Sequence, residues 1–352
     1  MTRKKILLTG AFGEVGIETL KELVRRSNYD IRVFDLKYDS LNKINRKKIA
    51  KRYIKQIKVI WGDLRNYDEV LTAVNEIDVV LHIGALIPPA ADKFPEEAWK
   101  INTGGTENII KAIEVQNKKP RLIYTSSISV YGDRIKNPKI RVGDPFNPSM
   151  GDKYSVTKIE AEKLIQSSNL EWTIFRLTAI MNPRMKIQPI MFHLPLDTSL
   201  EICRNTDTGY ALVQAIECDE LVGNIYNLSG GEKCRIIARD YLKANFKIFG
   251  LDPNLIPENA FATRNFHCGY YVDGDILEEL LHFQREGLKE HFDAVKECVL
   301  TSLKLATKIL PKRVIKNYLL RMSEPLKAIK RNDEDLIKRF YGTREEFEKL
   351  PK

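Results

Sequence analysis

The segment Thr9-Gly10-Ala11-Phe12-Gly13-Glu14-Val15-Gly16, straight after the apolar run Ile6-Leu7-Leu8, constrains this chain more than any other. A continuous apolar run behind two charges reads as a buried strand, Lys4 to Thr9. Glu14 to Arg26 reads as a helix with Val15, Leu20, Leu23 and Val24 on its inner side. The three glycines therefore fall at a strand-to-helix turn. Gly10 permits the tight turn, Gly13 lets a pyrophosphate approach the backbone, and Gly16 lets helix and strand pack closely. The free amides at the helix start favour the phosphate charge, which makes this a place for a dinucleotide.

A second strand, Ile31 to Phe34, ends at Asp35, about 20 residues beyond Gly16. An acid there accepts from ribose hydroxyls and repels a 2′-phosphate, so NAD is expected over NADP. Arg3, Lys37 and the basic stretch beyond them act the other way. A third strand, Val59 to Trp61, leads to Asp63-Leu64, placed to meet the adenine edge. Further along, Tyr154 and Lys158 open another helical pattern at i and i+4, hence on one face. An ammonium beside a phenol favours the phenolate, which suits Tyr154 to proton transfer and leaves Lys158 free to hold the nicotinamide ribose as well.

In their order these motifs resemble the extended short-chain dehydrogenase/reductase family, of the NAD-dependent epimerase/dehydratase type. The likeness runs over roughly residues 4 to 285: TGAFGEVG, Asp35, GDL at 62–64, LHIGA at 81–85, Asn102, SSISVYG at 126–132 and YSVTK at 154–158. It implies a doubly wound parallel Rossmann sheet with a smaller C-terminal substrate domain. The resemblance makes Ser127 the hydroxyl that orients a substrate oxygen, with Thr125 and Ser126 as neighbours. Gly10, Phe12, Gly13, Glu14, Val15, Gly16, Asp35, Asp63, Leu64, His82, Ile83, Gly84, Asn102, Tyr154 and Lys158 are the expected cofactor-binding residues. His82 follows a buried strand and reads as structural or close to the cofactor. Asn102 is expected near the active site, with a surface position as the alternative.

Two departures narrow the chemistry. Where the family's dehydratases carry an Asp-Glu pair, this chain has Ile128 and Ser129, which disfavours dehydration. Where nucleotide-sugar epimerases carry an Asn three residues after Arg176, it has Ala179. The leading expectation is an NAD-dependent epimerase-like enzyme on a sugar nucleotide or related hydroxyl substrate; the alternatives are an NAD(P)-dependent ketone reductase or alcohol dehydrogenase on a non-nucleotide substrate, which Ala179 favours, and a non-catalytic NAD-sensing module. The intact Ser127, Tyr154 and Lys158 weigh against the last. The loops at Phe146-Asn147-Pro148 and Asn182-Pro183-Arg184 are expected to border the pocket.

The organisation read from the chain is an NAD-binding region over 1–178 with later returning segments, a mainly substrate-binding region over 179–285, and a basic helical extension over 286–352. Later elements are expected as helices over 207–217, 240–250 and 275–283, with a strand over 224–228. The five cysteines show no CxxC or metal spacing, no metal is expected, and no run is apolar enough to span a membrane. A cytoplasmic setting, possible peripheral membrane contact and a homodimer are the expectations; nucleic acid has no motif to support it.

The net charge of +10 gathers in two places. One is Lys43 to Lys58, where Ile44, Ile49, Tyr53 and Ile57 could line the apolar side of a helix. The other is the extension, where Leu288, Phe292, Val295, Val299, Leu303, Ala306 and Leu310 recur at helical spacing and Pro311 interrupts them. That side can dock on the chain's own core or a second subunit, or lie on an anionic membrane surface. Its removal is expected to leave NAD binding intact.

Overall fold

The structure, a computed structural model, describes residues 3–41, 44–184, 187–299, 307 and 309–351. Seven parallel strands form the main sheet: β1 (Lys4–Thr9), β2 (Tyr29–Asp35), β3 (Ile57–Trp61), β4 (Val79–His82), β5 (Arg121–Ser127), β6 (Trp172–Leu177) and β7 (Asn224–Leu228). Their order is β3-β2-β1-β4-β5-β6-β7. The order reverses between β1 and β4, and the carboxyl ends of these two strands flank the crevice where open α/β sheets take ligands. Successive side chains of a strand face opposite sides, so β1 sends Ile6 and Leu8 into one core and Leu7 into the other. The strand Lys4–Thr9 and the helix Glu14–Arg26 lie where the sequence places them.

A second, three-stranded sheet has Ser199–Arg204 at its centre, with Ala179–Met181 and Arg235–Ile237 on its flanks. Together with the two-stranded pair Lys139–Ile140 and Tyr270–Tyr271, it lies beyond the carboxyl ends of β5 and β6 in the chain. The later elements are helices Asn205–Gln214, Ala238–Ile248 and Gly274–Leu281.

The basic stretch before β3 departs from expectation. Its helix is only Arg46–Ala50; Ile44 bridges Asp39, and Ile57 opens β3. Helical spacing is present there, but pairing of Ile57 with Ile31 in the sheet takes precedence over it.

In the extension the first helix is Leu288–Cys298, ending with Val299 as its cap. Leu303 and Ala306 lie outside the described residues. Helices Lys312–Leu320, Glu324–Arg331, Glu334–Phe340 and Arg344–Glu348 follow. They pack on the chain's own substrate-side region. Leu319 joins Phe192, Phe246 and Phe261, while Ile337, Phe340 and Tyr341 close around Ala262. The Thr263 amide donates to the Phe340 carbonyl at 2.8 Å, and the Tyr341 hydroxyl to the Asn259 carbonyl at 2.8 Å. Tyr341→Phe, which leaves that buried bond unmade, should cost about 1 to 2 kcal/mol. The expected readout is a lower midpoint of the main urea transition; an unchanged midpoint would mean that the extension unfolds on its own.

Candidate active site

The glycine turn sits at the carboxyl end of β1. Gly10 has φ +66°, and a Cβ there would lie 2.6 Å from the Gly84 Cα. A Cβ on Gly16 would lie 2.1 Å from the Gly10 carbonyl oxygen. Both positions exclude a side chain: Gly10 lets the turn pass against Gly84, just beyond β4, and Gly16 lets the start of Glu14–Arg26 pack on the turn itself. Gly13 caps that helix without any side-chain bond, which leaves the amides of Glu14, Val15 and Gly16 without an intrahelical partner. Phe12 is buried, 5.8 Å from the Trp61 ring. Glu14 is exposed and accepts from Asn182, so the loop after β6 reaches the mouth of the turn.

Asp35 ends β2 and is 7% exposed. Its carboxylate accepts the Phe12 amide at 2.9 Å and the Leu36 amide at 2.8 Å, and pairs with Arg46 at 3.0 Å. Burial raises its pKa, and Arg46 works against that rise. Arg46 also binds Asp39 at 2.8 Å. The sequence shows Arg46 only as one cation among many. Asp63 is held by Arg65 at 2.6 Å; burial alone would raise its carboxyl, but the Arg65 hydrogen bonds keep it low. Leu64 packs against Gly84 and Gly105.

His82 is structural. Its Nδ1 lies 2.8 Å from the Thr9 hydroxyl and its Nε2 3.1 Å from that of Thr106. Thr106 already donates to the Asn102 carbonyl at 2.6 Å, so it accepts from His82. Thr9 already accepts the Ile83 and Gly84 amides, at 3.1 and 3.0 Å, so its hydroxyl donates to the ring. These bonds assign a neutral ring protonated on Nε2. Burial, helped by Lys158, lowers its pKa to about 3. Asn102 is buried within a π-helical turn, Trp99–Gly104, and not on the surface. Its amide oxygen takes the Leu86 amide at 2.7 Å, and its amide nitrogen donates to the Leu86 carbonyl and the Thr157 hydroxyl at 3.0 Å each. Asn102 thus pins the loop after β4 to the helix that carries Tyr154.

That helix is Lys153–Ser167, capped by Asp152, whose carboxylate accepts the Ser155 amide at 2.9 Å and meets His267 at 3.0 Å. Lys158 donates to the Thr125 carbonyl at 2.9 Å and the Tyr124 hydroxyl at 3.1 Å, and its ammonium lies 5.8 Å from the centre of the Tyr154 ring. Burial lowers its pKa to about 7, with Glu162 resisting the fall. Burial also pushes the Tyr154 phenol above its usual range, Asp152 adds to the rise, and a Ser127 hydrogen bond opposes it. The sequence predicted a lowered phenol from Lys158 alone. In the structure desolvation is the larger effect, because phenol and amine are both buried. Of the three hydroxyls at the end of β5, Ser127 is the half-buried one beside the phenol; Thr125 turns toward the His82 carbonyl at 3.4 Å.

Behind the helix runs a buried polar chain that the sequence reading missed. Arg176 binds Glu162 at 2.6 Å and the Tyr131 hydroxyl at 2.6 Å, Tyr131 donates to Asn227 at 3.0 Å, and Asn227 to Asp273 at 2.8 Å. An Arg inside an apolar strand was the signal, since a buried charge needs a partner. The extension reaches the same region. Arg339 meets Asp92 at 3.7 Å, and with Phe340, Pro88, Asp152, Ile190, His193 and His267 it encloses a cavity of about 20 Å³. A much larger cleft, about 1140 Å³, lies elsewhere, along 133–147 and 263–265, and does not include Ser127, Tyr154 or Lys158. Phe146 and Asn147 line this cleft and not one shared with Tyr154. Among the described residues no cluster of His, Cys, Asp and Glu could hold a metal ion.

Residues 7–179 match the model of the 3-beta hydroxysteroid dehydrogenase/isomerase family. An uncharacterized membrane protein of Methanocaldococcus jannaschii is 29% identical over 197 residues, 53% of this chain and 52% of that protein. Mouse 3 beta-hydroxysteroid dehydrogenase type 7 is 31% identical over 169 residues, 46% of this chain and 44% of that one. The chain thus matches about half the length of these curated relatives. The crystal structure of UDP-glucuronic acid 4-epimerase from Bacillus cereus, in complex with UDP-glucuronic acid and NAD, shares the fold with a TM-score of 0.66 at 20% identity, covering 84% of this chain and 100% of that one. Over residues 7–179 the chain is thus similar to a dehydrogenase family, and it shares the fold of NAD-binding epimerases.

Proposed function

We propose that the protein is an NAD-dependent alcohol dehydrogenase of the hydroxysteroid-dehydrogenase type, interconverting a secondary alcohol and a ketone on an apolar substrate. The observation that carries this reading is the family match over 7–179, which includes the glycine turn, Ser127, Tyr154 and Lys158. The open helix start above Gly13 and the carboxylate of Asp35 fit a dinucleotide's pyrophosphate and ribose. Bound NAD would supply the acceptor for the carbon-bound hydride. Ser127 then orients the substrate oxygen, Tyr154 exchanges its proton, and Lys158 provides the positive charge that lets a buried phenol ionise. Ala179 replaces the Asn of nucleotide-sugar epimerases, and Leu86 packs with Tyr154 while its neighbour Ile87 is exposed.

A sugar-nucleotide epimerase is the second reading. The large cleft favours it, since Arg134, Lys136, Lys139 and Arg141 line it and suit a diphosphate. Supplying NAD with a panel of hydroxysteroids and of sugar nucleotides separates the two. A dehydrogenase accumulates NADH in proportion to ketone, whereas an epimerase turns over without net NADH.

Cofactor choice rests on the Asp35–Arg46 pair. NAD should bind more tightly than NADP, Asp35→Ala should narrow the gap by removing repulsion of a 2′-phosphate, and Arg46→Ala should widen it. Titration of both nucleotides reads this out; equal affinities in the wild type would contradict the assignment.

A further inference from the structure

From Val299 to Ser323 the chain has six Lys or Arg and no Asp or Glu. Within this stretch the helix Lys312–Leu320 turns Ile315 and Leu319 inward, against the cluster of Phe192, Phe246 and Phe261. Its other side carries apolar residues that nothing among the described residues covers. Val314 and Tyr318, four residues apart on the helix and so on one side, are 52% and 66% exposed, and Leu310, just before the capping Pro311, is 48% exposed. Ile309, beside them in sequence, is 71% exposed. Single exposed apolar residues are ordinary, but a group of four within ten residues marks a contact surface. Cations border the group. Lys312 lies 3.4 Å from Asp252, whereas Arg313, Lys316 and Arg321 have no ion pair among the described residues.

We propose that this apolar patch docks the protein on the anionic surface of a lipid bilayer, with Leu310, Val314 and Tyr318 entering the headgroup boundary and the flanking cations meeting lipid phosphates. Charge decides between this occupant and a second copy of the chain. A two-fold contact sets like patch on like patch, and here it would press Arg313, Lys316 and Arg321 against the same cations of the copy. An anionic bilayer offers the apolar layer and the opposite charge at once. Tyrosine suits that boundary, with an apolar ring and a polar tip. No helix among the described residues is long and apolar enough to cross a membrane, so the contact is with its surface. The inner side of the same helix is held by the core, so docking would hold the whole folded chain at the bilayer.

The test is co-sedimentation of the full chain with phosphatidylcholine vesicles, alone and with about one-third phosphatidylglycerol, at low and high salt. Binding is expected to the anionic vesicles and to weaken with salt. The double variant Val314→Glu/Tyr318→Glu should lower partitioning by roughly tenfold or more, and Arg313→Gln/Lys316→Gln should weaken it at low salt. Thermal melting and NADH binding should stay as in the wild type, since these side chains face outward. Equal partitioning to neutral and anionic vesicles, or wild-type partitioning by the patch variant, would overturn the proposal. So would a dimer in light scattering that the patch variant converts to monomer, because a second copy would then cover the patch.

Discussion

Tyr154→Phe should lower turnover by about 10²-fold or more while the cofactor still binds. The substitution removes one oxygen and keeps the ring, which is 8% exposed and packed with Leu86, Ala91 and Ala98. Neither the glycine turn nor Asp35 touches that oxygen. Burial and Asp152 both oppose ionisation of the phenol, and Lys158 is the cation next to it. The phenol is therefore held protonated by its surroundings, and Lys158 supplies the nearest positive charge. Alcohol oxidation should accelerate as pH rises, because its general base must lose a proton. Tyr154→Phe should lose that rising limb as well as the rate. Wild-type activity in the variant would show that another group moves the proton.

Arg176→Met should destabilise the fold by about 3 to 5 kcal/mol. Arg176 and Glu162 have side chains 4% and 0% exposed, and three hydrogen bonds of 2.6 to 3.2 Å join them. Burial alone would lower the Arg176 pKa, yet the Glu162 hydrogen bond and charge hold it above its usual range. Removing the guanidinium leaves a carboxylate buried without its partner and frees the Tyr131 hydroxyl. Pairing it with Glu162→Leu should recover much of the loss, because neither charge then remains. Urea denaturation of the two single variants and the double variant measures the coupling. Glu162→Gln carries a second consequence. It removes the charge that supports protonated Lys158, so the pH profile of activity should shift to lower pH.

The parts of this site that were legible in the sequence are those set by local spacing. A glycine turn behind an apolar run places β1 and the first helix to the residue, and an i,i+4 pair places Tyr154 and Lys158 on one helix side. The parts that were not legible depend on packing between distant segments. Arg176 and Glu162 meet only because the helix lies across β6. His267 reaches Asp152 across 115 residues, and Glu324 reaches His193 across 131. Asp152 itself was readable as a helix cap from its place before Lys153 and Tyr154. Two elements were open to misreading for physical reasons. The stretch before β3 has helical spacing but gives Ile57 to the sheet, and the extension's apolar side is divided between the core and the outside.

The central claim is that the glycine turn and the Ser127, Tyr154 and Lys158 group form one nicotinamide-nucleotide site. Titration of the purified chain with NADH, followed by its fluorescence, tests this most directly when Lys158→Met is measured alongside. The structure puts Lys158 at the end of β5, remote in sequence from the turn that takes the pyrophosphate, so saturable binding should occur in the wild type and be weaker in Lys158→Met. No saturable binding in the wild type, or the same affinity in both proteins, would contradict it.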